Sequence, residues 1–162
     1  MREILFRGKR IDNGEWVEGY YVKALDMYDK EIHTIFDTAT TFYSCGETSG
    51  FELVDPETIG QYTGFTDKNG KKIWENDIIS YQRDNDDCPF PNKDTKKRLG
   101  KVFYQGFRST FAIGMGRNGS RSINDDLWKY VQNGNRVEVI GNRFDNPELL
   151  EEQDGEINKN VQ

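Results

Sequence analysis

The sequence predicts an all-β or β-rich fold, built from small barrel-like sheets with one or two short helices. Short runs of β-branched and aromatic residues recur along the 162 residues, and Gly, Asn, Asp or Pro bounds most of them. Aromatic residues make up 13% of the chain, although only 35% of it is hydrophobic. Because disordered chains are poor in aromatic rings, this composition indicates a folded body with polar loops.

Eleven segments have the pattern of a short strand. In chain order they are Ile4–Arg7, Trp16–Val22, Glu31–Phe36, Thr40–Tyr43, Phe51–Val54, Thr58–Phe65, Lys71–Trp74, Ile78–Gln82, Lys101–Phe107, Thr110–Ile113 and Val137–Gly141. Several of them alternate between apolar and polar residues, as strands with one buried face do. In the last segment the two valines face one side and Glu138 faces the other.

Two segments predict helix. Ile123–Val131 has Ser122 as its N-cap and two aspartates in its first turn. Residues 146–150 predict one further turn, with Asn146 as the cap and Pro147 at the first helical position.

Charge and loop residues divide the chain. Residues 145–162 carry one lysine against six acids, a net charge of −5, which leaves −1 for residues 1–144. We therefore expect a single domain over residues 1–150, or two submodules over about 1–57 and 58–150, followed by an acidic flexible tail at 151–162. The alternative for the tail is a DNA-mimicking or partner-binding segment. Residues 83–98 are polar and contain two prolines, which predicts a long exposed loop.

The sequence also predicts where the protein acts and what it does not bind. No apolar run approaches the roughly 20 residues of a membrane helix, and the first ten residues lack the apolar centre of a signal peptide. We expect a cytoplasmic protein without membrane contact, in which Cys45 and Cys88 are free thiols. These cysteines have no C-x-x-C spacing, so together with the single histidine they predict no zinc site. We expect no metal and no cofactor.

The stretch from Gln61 to Ile79, QYTGFTDKNGKKIWENDII, is the most distinctive in the chain. A calcium loop needs ligands at its first and twelfth positions, and Phe65 and Asn76 occupy these when Gly70 takes the sixth. The stretch instead favours a tight hairpin at residues 67–70, because Asp accepts backbone N–H bonds and Asn-Gly tolerates positive φ. Trp74 then anchors the sheet, and residues 75–77 make a second turn.

This stretch resembles the central signature of the YopX family of phage and prophage proteins. The opening residues MREILFRG resemble the start of that family, and VEVIGN at 137–142 with NPELL at 146–150 resembles its closing motif. The matching positions are Gln61, Tyr62, Gly64, Asp67, Asn69, Gly70, Trp74, Asp77, Gly141, Asn142, Asn146 and Pro147. Arg143 departs from the small aliphatic residue usual there. The resemblance implies a small β-rich phage-encoded accessory protein, and it assigns no catalytic residue.

One basic segment suggests a nucleic-acid contact. Its candidate residues are Lys93, Lys96, Lys97, Arg98, Lys101 and Tyr104. Basic side chains follow phosphates and aromatic rings stack on unpaired bases, as in OB-type small barrels. The alternative is a solvated loop. Residues 100–113 also resemble the strand and hairpin order of SH3-like barrels, which mostly bind peptides or nucleic acids.

Two further patterns are weaker. Residues 114–119 match G-x-G-x-x-G, but no βαβ unit follows, so a flexible glycine-rich loop is favoured over a dinucleotide site. His33 lies in an alternating strand on the same side as Ile35, which favours a half-buried histidine. An enzymatic site near His33 with neighbouring carboxylates is the alternative.

We therefore expect a non-catalytic binding protein of the bacterial host cytoplasm, whose partner is a host or phage protein or a nucleic acid. We also expect a homo-oligomer. The segments Val102–Phe107 and Trp16–Val22 have few of the charged or proline residues that protect edge strands, so pairing between protomers would satisfy their backbone groups.

Overall fold

The computed structural model describes residues 3–37, 50–82, 97–115, 121–132 and 134–150. The predicted strand Thr40–Tyr43, most of the predicted loop at 83–98 and the acidic tail at 151–162 lie outside these ranges.

Strands dominate the described residues. They are β1 (Phe6–Lys9), β2 (Trp16–Leu25), β3 (Glu31–Asp37), β4 (Phe51–Leu53), β5 (Gly60–Thr66), β6 (Lys72–Trp74), β7 (Asp77–Gln82), β8 (Lys97–Gln105), β9 (Thr110–Met115), β10 (Arg121–Asp126) and β11 (Val137–Asn142). One short helix, α1 (Leu127–Gln132), follows β10, and Pro56–Thr58 and Gly106–Arg108 are single 3₁₀ turns. The β-rich prediction is confirmed.

The predicted helix Ile123–Val131 begins too early. Residues up to Asp126 belong to β10, where Asp125 pairs with Ile113 and Asp126 with Ala112. The backbone groups of Asp125 and Asp126 pair with β9, and a helix starting at Ile123 would have to give up this pairing. The further turn at the closing motif is present, since residues 148–150 are helical and the Leu149 N–H donates to the Asn146 carbonyl at 3.2 Å.

The chain divides into two compact units, Met1–Tyr62 and Thr63–Gln162. In the first unit the strands are ordered β4-β3-β2-β1-β5, all antiparallel. The hairpin of β2 and β3 is its longest pairing, running from Gly19 opposite Asp37 to Leu25 opposite Glu31. Only a few apolar side chains are fully buried among its described residues: Leu5, Ile35 and Val54.

The second unit contains a five-stranded antiparallel sheet of order β10-β9-β8-β7-β11, with β5 continuing into the unit to meet β6. One face of the sheet carries a hydrophobic core closed by α1. Its buried members are Ile73, Ile79, Tyr81, Val102, Phe111, Ile113, Leu127, Tyr130, Val137 and Val139. This core is what holds the strands that carry the candidate site.

The basis of the oligomer prediction is wrong. β2 lies between β1 and β3, and β8 lies between β7 and β9, so both segments expected to be unprotected edges are interior strands. An interior strand already has partners on both sides, which explains why these two strands have few charged or proline residues of the kind that protect an edge strand from further pairing. Self-association itself stays a prediction.

Candidate functional site

Asp67 organises the hairpin that the sequence predicted. Its side chain is 3% exposed, and Oδ1 accepts the N–H groups of Asn69 at 2.8 Å and Lys71 at 2.9 Å. Oδ2 accepts the N–H of Val139 on β11 at 3.0 Å. Burial alone would raise the pKa of Asp67, but these backbone hydrogen bonds outweigh it and hold the pKa below its ordinary value. Each of these three donors is a backbone N–H group, so this acid shapes a turn.

The other polar positions of the signature and closing motifs have similar roles. Asp77 is 1% exposed and accepts the Trp74 N–H at 2.8 Å. The Asn142 Oδ1 accepts two N–H groups of the following turn, from Phe144 and Asp145. A Cβ on Gly141 would lie 2.5 Å from the Asn146 side chain, which explains the glycine there.

The remaining signature positions also serve the backbone. Tyr62 N–H donates to the Leu5 carbonyl at 2.8 Å within the first unit, and Gly64 has a φ of 85° in β5. Gln61 pairs with Phe6 in the same sheet. The side chains of these motifs therefore stabilise turns and strands by binding backbone groups, which points to a ligand site outside the motifs.

A concave polar surface in the second unit brings cations together. We call it the basic cleft; its volume is about 230 Å³ and its described lining is Lys68, Ser80, Tyr81, Gln82, Lys97, Asn135, Arg136 and Glu138. Three strands build it side by side. Lys97 on β8 pairs with Gln82 on β7, and Arg136 directly precedes β11, whose Val137 pairs with Tyr81. Three cations and one acid line this surface.

The acid in the basic cleft is held charged. Lys68 Nζ lies 2.6 Å from Glu138 Oε2, and this hydrogen bond is the main cause that lowers the pKa of Glu138. The positive charges of Lys68 and Lys97 add to the effect, while burial opposes it. Arg136 lies 5.3 Å from the ring centroid of buried Tyr130, which orients the guanidinium. Lys68 neutralises Glu138, and Lys97 and Arg136 bring two further cationic side chains to the lining of the cleft.

The structure divides the predicted basic segment. Alternation along β8 puts Lys97 and Lys101 on one face and Arg98 and Tyr104 on the other, while Lys93 and Lys96 lie outside the described residues. Burial, with the nearby charge of Arg143, lowers the pKa of Lys101. Of the described candidates, Lys97 alone lines the basic cleft. Sequence reasoning missed Lys68 and Arg136.

The net charge counted separately for each part of the chain is a sequence signal that points to this region. Residues 1–62 carry six basic and twelve acidic residues, a net charge of −6, whereas residues 63–144 carry fifteen and ten, a net charge of +5. The near-neutral total for residues 1–144 conceals this segregation. The positive half contains the basic cleft.

His33 forms a row of hydrogen bonds on the first unit's sheet. Its Nδ1 lies 2.7 Å from the Tyr21 hydroxyl, and its Nε2 lies 3.1 Å from Glu31 Oε1. The other oxygen of Glu31 binds Lys23 Nζ at 2.6 Å. If the Tyr21 hydroxyl donates to Nδ1, Nε2 carries the proton toward Glu31. The cluster orients a half-buried histidine, as the strand pattern predicted; an enzymatic role for it stays a prediction.

The described residues contain neither a cluster of metal-ligating side chains nor a membrane-spanning helix. No group of three or more His, Cys, Asp or Glu side chains in these ranges has the geometry to hold a metal ion. In the same part of the chain, no helix has the length and apolar character needed to cross a membrane.

The comparisons with known proteins agree with the resemblance noted in the motifs. The family model described as YopX protein matches residues 5–151. The crystal structure of protein EF1440 from Enterococcus faecalis is similar over 93% of this chain and 99% of that one, with a TM-score of 0.53 and 23% identity. At 23% identity this similarity is evidence of a shared fold alone. No curated protein matches the chain significantly.

Proposed function

Because the chain belongs to the YopX family, to which residues 5–151 match, we propose that it is a non-catalytic binding protein whose basic cleft contacts the phosphates of a nucleic acid. We also propose that it acts as a phage or prophage accessory protein in the cytoplasm of the bacterial host. The family resemblance supports the accessory role, and the cleft supports the choice of ligand.

The single observation that supports a phosphate-containing ligand is that Lys68, Lys97 and Arg136 line one concave surface within residues 63–144. Phosphates are bound by cations and polar donors, and Ser80, Gln82 and Asn135 add uncharged polar side chains to the lining. Binding of this kind needs no catalytic residue.

Charge segregation removes the objection that the whole protein is acidic. The net charge of −6 would repel a polyanion if it were spread evenly. Exposed charges farther apart than about 10 Å are largely screened at 0.1 M salt, so the local charge of the cleft decides the contact. A net charge of +5 over residues 63–144 therefore favours binding at this surface.

The test is fluorescence anisotropy of the full chain with single-stranded and duplex DNA oligonucleotides over a range of salt concentrations. Replacing Lys97 by Ser should weaken binding and reduce the slope of log affinity against log salt by about one. Lys68→Ser should weaken binding at least as much, because it also leaves the Glu138 carboxylate unneutralised in the cleft.

Lys30→Ser is the matched control, since Lys30 is an exposed lysine of the first unit. It should leave affinity and salt slope unchanged. Failure of the unaltered chain to bind either DNA at low salt would contradict the proposal, as would equal effects of the Lys30 and Lys97 changes.

A further inference from the structure

The outer edge of β4 carries an apolar groove. We call it the edge groove; its volume is about 280 Å³ and its described lining is Ile11, Asp12, Phe51, Glu52 and Leu53. β4 is the last strand in the order of the first unit, and the Ile11 N–H donates to the Leu53 carbonyl at 3.0 Å on its outer side. Ile11 is 65% exposed, Phe51 46% and Leu53 43%.

Carboxylates border this groove. Arg10 lies 2.8 Å from Asp12 and 3.1 Å from Glu52, so one guanidinium serves two acids and one negative charge remains. The unit around them has a net charge of −6. An occupant of matching chemistry is an apolar side chain with a cation next to it, and a polyanion is disfavoured.

The groove is continuous with further apolar surface. Phe51 pairs with Phe36, and Phe36 pairs with Tyr20, so three aromatic residues stand in one row across β4, β3 and β2. Tyr20 is 51% exposed, and the rings of Phe36 and Phe51 are 6.0 Å apart. An interface of two proteins buries about 1,200–2,000 Å² in total, and this row supplies area beyond a single pocket.

The second unit presents a side-chain pair of the required kind. Phe107 is 86% exposed in the 3₁₀ turn Gly106–Arg108, and Arg108 follows it directly. Arg108 contacts Asp126 at 3.0 Å through one nitrogen and is 42% exposed. Residues 63–144 have a net charge of +5, opposite to the charge around the groove.

We propose that the edge groove of one copy receives Phe107 of a second copy, with Arg108 facing Asp12 and Glu52. The aromatic ring fills the apolar groove, and opposite charges of the two halves orient the approach. Each copy offers both a groove and a Phe107, so the contact can repeat from copy to copy and builds a closed ring of two or more copies or an open chain. This assembly is independent of the proposed nucleic-acid contact.

The test measures molar mass by light scattering and sedimentation of the full chain up to high micromolar concentration. Phe107→Ser removes the inserted ring, and Ile11→Lys places a cation at the groove, where Arg108 would be repelled. Each should weaken self-association by roughly tenfold or more. Leu53→Lys repeats the groove change at a second position, and circular dichroism with thermal melting verifies folding.

Mixing the two defective variants gives the sharpest result. The Phe107→Ser copy keeps its groove and the Ile11→Lys copy keeps its Phe107, so one intact contact forms and a 1:1 dimer is expected. Tyr28→Ser, at a site 82% exposed, is the control and should associate like the unaltered chain. A monomeric unaltered chain, undiminished association of either variant, or a mixture that stays monomeric would overturn the proposal.

Discussion

The hairpin turns that begin at Asp26 and Asp67 have the same backbone design in different units. In each, the aspartate N–H binds the carbonyl of the lysine four residues on, at 2.9 Å for Asp26 and 2.8 Å for Asp67. In each, Oδ1 accepts N–H groups two and four residues on, at 2.8 and 2.9 Å. The fourth residue has positive φ in both, 59° at Asp29 and 82° at Gly70.

The two turns differ in what surrounds them. Asp67 is buried and its second oxygen reaches Val139 on β11, so the turn is attached to the sheet of its unit. The turn at Asp26 instead displays Met27, which is 86% exposed, and Tyr28. Identical local hydrogen bonds thus make a fixed part of the framework in one unit and an exposed tip in the other.

The same contrast holds for apolar side chains. Among the described residues the second unit buries fourteen apolar side chains and exposes four large ones, whereas the first unit buries three and exposes nine. A unit with so few buried side chains gains most from covering its surface. The edge groove accordingly lies in the first unit, where apolar side chains are exposed, and the buried Asp67 turn lies in the second.

Replacing Asp67 by Ala should give the largest loss of stability. It leaves three backbone N–H groups without their acceptor, one of them on another strand, and should lower the free energy of unfolding by roughly 3 kcal/mol or more. Asp26→Ala is the matched change at the exposed turn and should cost only about 1 kcal/mol, because water replaces the lost acceptor. Urea denaturation measures both, and equal losses would contradict the comparison.

Acid should reduce the contribution of Asp67 to stability. The pKa of Asp67 is lowered in the folded chain, so its contribution is fully present above the unfolded pKa of about 3.9 and is lost as pH falls through the folded value. The stability gap between Asp67→Asn and the unaltered chain should therefore be wide at pH 7 and should shrink progressively as the pH falls below about 4. Urea midpoints at several pH values measure it, and a gap independent of pH would show that the carboxylate charge is unimportant.

The sequence was sufficient where local chemistry decides the outcome. The hairpin at Asp67 followed from Asp-Lys-Asn-Gly, and most strands followed from short β-branched and aromatic runs bounded by turn residues. β10 was missed because two aspartates resemble a first helical turn and only pairing with β9 reveals the strand. The basic cleft was missed because its cations come from separate elements: Lys68 from the β5–β6 turn, Lys97 from β8 and Arg136 from the residue before β11. Local patterns carry no information on such convergence.

The smallest predicted effects come from substitutions at the fourth residue of each turn, which has positive φ. A Cβ on Gly70 would meet no heavy atom within 4 Å, so Gly70→Ala tests positive φ alone and should cost about 1 kcal/mol. Asp29→Gly is the reverse change in the first unit. Glycine removes the steric strain of a side chain at a φ of 59°, which stabilises the folded chain, but it also increases the conformational entropy of the unfolded chain. These effects oppose each other, so the free energy of unfolding should change by less than about 0.5 kcal/mol. Thermal melts of both variants measure the pair. A loss at Gly70 much larger than 1 kcal/mol would mean that the turn depends on more than backbone conformation, and the two turns would then differ locally as well as in their surroundings.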